Sequence, residues 1–124
     1  MKPTETQRQA PIVCDVTPLN PEQRARRETV AKQVSGAFAE IRELPDGYAF
    51  RLPSDSSILL AAAEFIALER LCCPFFTFTL DVQHDGGPIW FHLTGRDGVR
   101  QFLKNKILNR LESVGPNRAK VNRG

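Results

Sequence analysis

The sequence predicts an α+β domain with the element order α-ββα-ββα, in which a four-stranded, mostly antiparallel sheet carries helices packed on one face. Three observations lead to this prediction. Two pairs of segments alternate apolar and polar residues, and each pair is joined by a turn that contains glycine. Three longer segments with helix-capping signals flank these pairs. A chain of 124 residues that is 41% hydrophobic suits one compact domain.

The first helix is predicted to begin at Asn20 and Pro21, because asparagine is a favourable N-cap and proline fits the first helical position. It is expected to run to about Ser35, with Gly36 as its stop. Its apolar stripe is thin, and basic residues cover most of the remaining surface. We therefore expect this helix to lie on the surface of the domain.

The first strand pair is predicted over residues 38–44 and 48–52, on either side of Pro45-Asp46-Gly47. Proline presets the φ angle of a tight turn, and glycine tolerates a positive φ. Every second residue of 48–52 is aromatic or aliphatic. This alternation indicates a hairpin with one buried face.

The second helix is predicted from about Ser56 to Cys72, since polar capping residues precede it and Pro74 disfavours helix at the residue before it. Residues 76–82 and 89–94 then alternate apolar and polar side chains, and a glycine-rich turn separates them. They form the second predicted strand pair.

The final helix is predicted over about residues 97–112. Residues 1–11 are polar and contain two prolines, so they are interpreted as a flexible N-terminal arm. Residues 12–114 form the single α+β domain, and residues 115–124 are interpreted as a flexible basic tail.

Charge and hydropathy disfavour several classes of protein. The net charge is +3, from 17 basic and 14 acidic residues, and no basic stripe alternates with aromatic residues, so nucleic acid is an unlikely partner. No apolar run reaches the roughly 18 residues of a membrane span. The polar N-terminus has no hydrophobic signal core, which predicts a cytoplasmic protein. The three cysteines are an odd number without a disulfide framework, and reduced thiols are expected.

The end of the second helix holds the strongest chemical signal. Glu69 lies three and four residues before Cys72 and Cys73, so one helical turn can bring the three side chains together. At 100° per residue, Glu69 falls near the middle of the apolar face. A buried carboxylate needs a hydrogen-bond donor, a cation, a metal or a pocket open to water.

Arginine from another element is one candidate partner for that carboxylate, and Arg42, Arg51 and Arg96 are the residues considered. In that interpretation the helix end is structural, and its cysteines are small buried apolar residues. A related structural alternative is an interaction domain that forms a homodimer through the sheet face carrying Trp90 and His92.

Soft-metal or metalloid binding is the leading functional hypothesis. Thiolates bind soft ions such as Hg, As, Zn and Cu, and the predicted ligands are Cys72, Cys73, Glu69 and, as a third thiolate, Cys14. His84 and His92 are weaker ligand candidates. The chain has no Cys-x-x-Cys pair, so a standard structural zinc site is not indicated.

A small enzyme is the rival hypothesis. In it, Glu69 acts as a general base and Cys72 or Cys73 acts as a nucleophile or redox centre. A vicinal Cys72–Cys73 disulfide forms a strained ring that switches readily. The carbonyls at a helix C-terminus raise the pKa of a thiol, which disfavours a reactive thiolate there.

The run from Glu69 to Phe78 reads Glu-x-x-Cys-Cys-Pro-Phe-Phe-x-Phe, and a Gly-Pro turn, an aromatic strand and Leu-Thr-Gly follow it. This pattern resembles a group of small, largely uncharacterised bacterial proteins that carry Glu-x-x-Cys-Cys-x-Phe and occur alongside mercury or other heavy-metal resistance genes. The similarity spans about Ile12 to Leu111 and includes the segment around Cys14. The resemblance implies that the protein handles metal ions.

Overall fold

The structure, a computed structural model, describes residues 12–114 and 120–122, with side chains described through residue 107. The predicted element order is confirmed. The elements are α1 (Pro21–Gly36), β1 (Glu40–Leu44), β2 (Gly47–Leu52), α2 (Ser56–Cys72), β3 (Thr77–Val82), β4 (Ile89–Thr94), α3 (Val99–Val114) and β5 (Lys120–Asn122). The predicted arm at residues 1–11 lies outside the described residues, as do residues 115–119 and 123–124 of the predicted tail.

The sheet has the strand order β3-β4-β2-β1-β5. The four predicted strands pair in antiparallel fashion, and the β2–β4 pair joins the two hairpins at the centre. The short β5 was not predicted. It adds a parallel pairing to β1, with Val121 opposite Ile41, within the segment that was assigned to the basic tail.

The core lies between the helices and one face of the sheet. On β4 the alternation places Ile89, Phe91 and Leu93 in the core, and Trp90 and His92 are half-buried on the other face. Helix α2 covers the core face, where the ring of Phe65 meets that of Phe91 edge-on with centroids 6.1 Å apart.

Helix α1 packs against α2 through a narrow apolar contact. Val30 and Val34 are fully buried, whereas most of the remaining α1 side chains are exposed, which agrees with the predicted thin stripe. At its N-terminus, the side chain of Asn20 accepts a hydrogen bond from the Gln23 N–H, and the side chain of Gln23 accepts one from the Asn20 N–H. This reciprocal capping box fixes where α1 begins.

Helix α2 is capped by Asp55, whose carboxylate accepts hydrogen bonds from the N–H groups of Ser57 and Ile58. At the other end, the N–H of Cys73 donates to the carbonyl of Glu69 over 2.7 Å, and Cys73 itself has left the helical conformation. The end of α2 is thus a defined turn that orients Cys73 differently from Cys72.

Gly47 at the start of β2 lies against the backbone of β4. A Cβ atom at this position would overlap the carbonyl oxygen of Leu93, and Thr94 is the strand partner. We expect Gly47→Ala to lower the free energy of unfolding by about 3 kcal/mol, because backbone atoms have to move apart. Urea denaturation measures this change.

Gly36→Ala is the matched control for that substitution. No atom lies within 4 Å of a Cβ placed at Gly36, at the end of α1, so alanine there is expected to be neutral or stabilising by about 0.5 kcal/mol. Equal destabilisation by the two substitutions would contradict the close approach of β2 to β4.

Candidate metal centre

The candidate site forms where the segment around Cys14 meets the C-terminal end of α2. The N–H of Asp15 donates a hydrogen bond to the carbonyl of Cys72 over 2.8 Å, which anchors the segment to the helix end. This contact satisfies one of the carbonyl groups that a helix leaves unpaired at its C-terminus. It also brings Cys14 beside Cys73, although the two residues are 59 positions apart in the sequence.

Cys14 and Cys73 are joined by a disulfide bond, with Cα atoms 4.7 Å apart. The expectation of three reduced thiols is therefore wrong for this structure, and Cys72 alone is a free thiol. The vicinal Cys72–Cys73 bond that the sequence suggested is not formed either. Cys73 is the C-cap of α2, and its non-helical backbone accompanies a pairing with Cys14 in place of its sequence neighbour.

Glu69 is buried, as the helix periodicity predicted, with 6% of its surface exposed. Its Oε1 accepts a hydrogen bond from Nε of Arg27 over 2.7 Å. Arg27 belongs to α1, so the partner is an arginine from another element, as the structural interpretation of this helix end predicted, although it is not one of the three arginines that were suggested. Arg42 and Arg51 instead contact the carboxylate of Glu40.

A charge pattern on the two helices contained a signal for this pairing. Neighbouring arginines on α1, Arg26 and Arg27, meet Glu64 and Glu69 on α2, so the two ion pairs lie side by side between the helices. Helices α1 and α2 follow each other in the helix order and carry complementary charges. This complementarity would have identified Arg27 as a candidate partner of Glu69.

Cys72 is fully buried next to Glu69. Its Sγ lies 3.5 Å from the Glu69 carbonyl oxygen, 3.8 Å from Oε1 of Glu69 and 3.8 Å from Sγ of Cys73. Burial raises the pKa of the Cys72 thiol, the Glu69 carboxylate raises it further, and Arg27 opposes this shift. The thiol is therefore protonated at neutral pH.

Three of the four predicted ligands form a compact group. Ligand atoms of Cys14, Glu69 and Cys73 all lie within 4.8 Å of one another, and the Sγ of Cys73 is 3.3 Å from Oε2 of Glu69. Two sulfurs that each lie about 2.3 Å from one ion are at most about 4.6 Å apart. The group is therefore compact enough to hold a common ion once the disulfide bond between its two sulfurs has been reduced. Cys72 borders the group.

The two histidines lie elsewhere. His84 is exposed in the β3–β4 turn, where its Nδ1 is 2.8 Å from Asp85. His92 lies on β4 and lines a separate cavity with Arg42 and Trp90. Within the described part of the chain, neither histidine joins the group of metal-ligating side chains.

Comparison of the chain with protein-family models, with curated proteins and with solved structures gave no match. Within residues 12–114 and 120–122, no helix combines the length and the apolar character that a membrane span requires.

The ion pair between Arg27 and Glu69 allows a direct test. We expect Arg27→Met to lower the free energy of unfolding by about 2 kcal/mol, because it leaves the buried carboxylate without its partner and the arginine is partly exposed. Arg26→Met is the matched control, since Arg26 and Glu64 form an exposed pair, and its effect should be much smaller. Urea denaturation of both variants measures the difference, and equal losses would contradict a special role for Glu69.

Alkylation tests the protonation state of Cys72. A raised thiol pKa lowers the thiolate fraction at neutral pH, so iodoacetamide should react at pH 7 at least about tenfold more slowly with the folded protein than with the chain unfolded in urea. The rate should rise as the pH increases beyond the usual range for a thiol. Mass spectrometry of the labelled protein measures it. Equal rates at pH 7 would show a reactive thiol and favour the enzyme hypothesis.

Proposed function

We propose that the reduced protein binds a soft metal or metalloid ion through Cys14, Cys73 and Glu69, with Cys72 as an adjoining thiolate. The observation that carries this proposal is the convergence of the ligand atoms of Cys14, Glu69 and Cys73 within 4.8 Å at the end of α2. Hg(II), As(III), Zn(II) and Cu(I) are the ions that such a sulfur-rich donor set prefers.

Reduction is the first step of this function. The Cys14–Cys73 bond takes up two electrons and two protons from an external thiol reductant to give two thiols, and both sulfurs then become available as ligands. Coordination replaces each thiol proton with the metal ion. Metal binding is thereby coupled to the redox state of the surroundings.

The environment of Cys72 supports a role that depends on the metal. Its thiol is kept protonated by burial and by the neighbouring carboxylate. A cation bound beside Glu69 lowers the pKa of the Cys72 thiol, because a nearby positive charge favours the thiolate. Cys72 thus ionises when an ion arrives and stays inert before that.

The resemblance to bacterial proteins found beside mercury or other heavy-metal resistance genes also supports the binding of a soft metal ion. In a cytoplasmic protein, a disulfide is usually a transient or redox-sensing bond and is less often a permanent structural one. We therefore propose a cytoplasmic role in sequestering or sensing a toxic soft ion after the disulfide has been reduced.

Titration of the reduced protein with Hg(II), As(III) and Zn(II), followed by thiolate-to-metal absorbance, tests the proposal. At least one ion should bind to the reduced protein with affinity that rises with pH, because binding releases protons. The oxidised protein should bind that ion at least about a hundredfold more weakly, since two of its sulfurs are unavailable. Phenylarsine oxide, which requires two thiols, provides an independent readout.

Single cysteine variants separate the contributions of the ligands. Cys14→Ser and Cys73→Ser should each weaken binding strongly, whereas Cys72→Ser, as the matched variant, should weaken it less because Cys72 lies at the border of the group. Equal binding by the reduced parent and by the Cys72→Ser/Cys73→Ser double variant would disprove the proposal.

A thiol–disulfide switch is the second candidate function, and the 3.8 Å distance from Sγ of Cys72 to Sγ of Cys73 favours it. The thiolate of Cys72 attacks Sγ of Cys73, the Cys72–Cys73 bond forms, and Cys14 leaves as a thiolate that takes up the proton lost by Cys72. No net oxidation occurs. Peptide mapping of the alkylated protein distinguishes the two disulfides, and labelling of Cys14 in otherwise oxidised protein would reveal the exchange.

A further inference from the structure

A cavity of about 260 Å³ lies among the three helices and the sheet, beside the candidate metal centre. Its wall is largely aromatic and includes six of the chain's eight phenylalanines, namely Phe38, Phe50, Phe65, Phe76, Phe91 and Phe102. Cavities that bind drug-sized molecules span about 300–1,000 Å³, so this one suits a smaller molecule with one or two rings.

The charged side chains at the cavity leave an excess of one positive charge. Arg27 and Glu69 line it and neutralise each other through their 2.7 Å ion pair. Lys106 of α3 also lines it, with its Nζ 5.2 Å from the ring centroid of Phe102. Lys106 forms no ion pair with the residues that the structure describes.

We propose that this cavity binds a small aromatic molecule that carries one negative charge. The ring lies among the phenylalanines, where edge-to-face and offset contacts between rings are favourable. The anionic group, a carboxylate or a sulfonate, points to Lys106. An aromatic wall with one cation that forms no ion pair to the described side chains selects this class over neutral apolar molecules and over cations.

Binding at the cavity does not depend on the proposed metal function. Cys14, Arg27 and Glu69 of the candidate metal centre also line the cavity, but the phenylalanine rings and Lys106, which are proposed to contact the aromatic anion, are not ligands of the ion. An experiment with the oxidised full chain in the presence of a chelator therefore tests this site alone. Failure of metal binding would leave the result unaffected.

Fluorescence titration with naphthalene-1-sulfonate, which has two fused rings, tests the proposal, and 1-methylnaphthalene serves as the matched probe that lacks the sulfonate. We expect one molecule of the sulfonate per folded chain, bound about threefold more tightly than the neutral probe, because Lys106 is exposed and its charge is screened by water. Tighter binding of the neutral probe would overturn the assignment of an anionic ligand. Absence of binding by the folded full chain would overturn the site.

Two pairs of variants test whether the probe binds inside the cavity. Lys106→Glu should weaken sulfonate binding about tenfold and leave the neutral probe unaffected, whereas Lys104→Glu, which makes the same charge change outside the cavity wall, should alter neither. Ala31→Phe should block both probes because Ala31 lines the cavity, and Ala25→Phe on the exposed side of the same helix should not.

Far-ultraviolet circular dichroism checks that each variant is folded. If Ala31→Phe loses the native spectrum, the smaller Ala31→Leu replaces it in the same comparison with Ala25→Leu. Equal binding by the Ala31 and Ala25 variants would show that the probe lies outside the cavity and would overturn the proposal.

Discussion

The ion pair between Arg27 and Glu69 is the interaction on which the site depends. Glu69 is placed on the apolar face of α2 by helix periodicity, and a carboxylate there is tolerated because α1 supplies a guanidinium at 2.7 Å. The same contact fixes how α1 lies across α2, and it leaves Oε2 of Glu69 facing Sγ of Cys73. A buried ion pair adds little stability compared with apolar side chains of similar volume. The ion pair with Arg27 therefore accounts for the burial of the Glu69 carboxylate without adding much to the stability of the fold.

Much of the fold followed from local signals in the sequence. The N-cap at Asn20, the turn that precedes Gly47 and the alternation along β4 each act over a few residues, so a single sequence suffices to locate the helices and the four antiparallel strands. The parallel pairing of β5 with β1 was missed because three residues in a basic segment carry no alternation that distinguishes a strand from a tail.

The sequence predicted the cysteines and the glutamate of the candidate site, but it did not predict which bonds these residues form. Spacing on one helix placed Glu69 beside Cys72 and Cys73, because helical geometry is known in advance. The partner of Glu69 and the partner of Cys73 both come from other segments, and their positions depend on packing between elements. Arg27 and the disulfide from Cys14 to Cys73 are consequences of that packing, which spacing along one element cannot show.

The disulfide also constrains the chain as a polymer. Because it joins residues 59 positions apart, it closes a loop that contains α1, the first hairpin and α2, and by the chain-entropy model such a cross-link disfavours the unfolded ensemble by about 4 kcal/mol. Reduction releases this constraint, and in the proposed function an ion held by the same two sulfurs closes the same loop again. Under that proposal, the oxidised protein and the metal-bound protein are two alternative cross-linked forms of one chain.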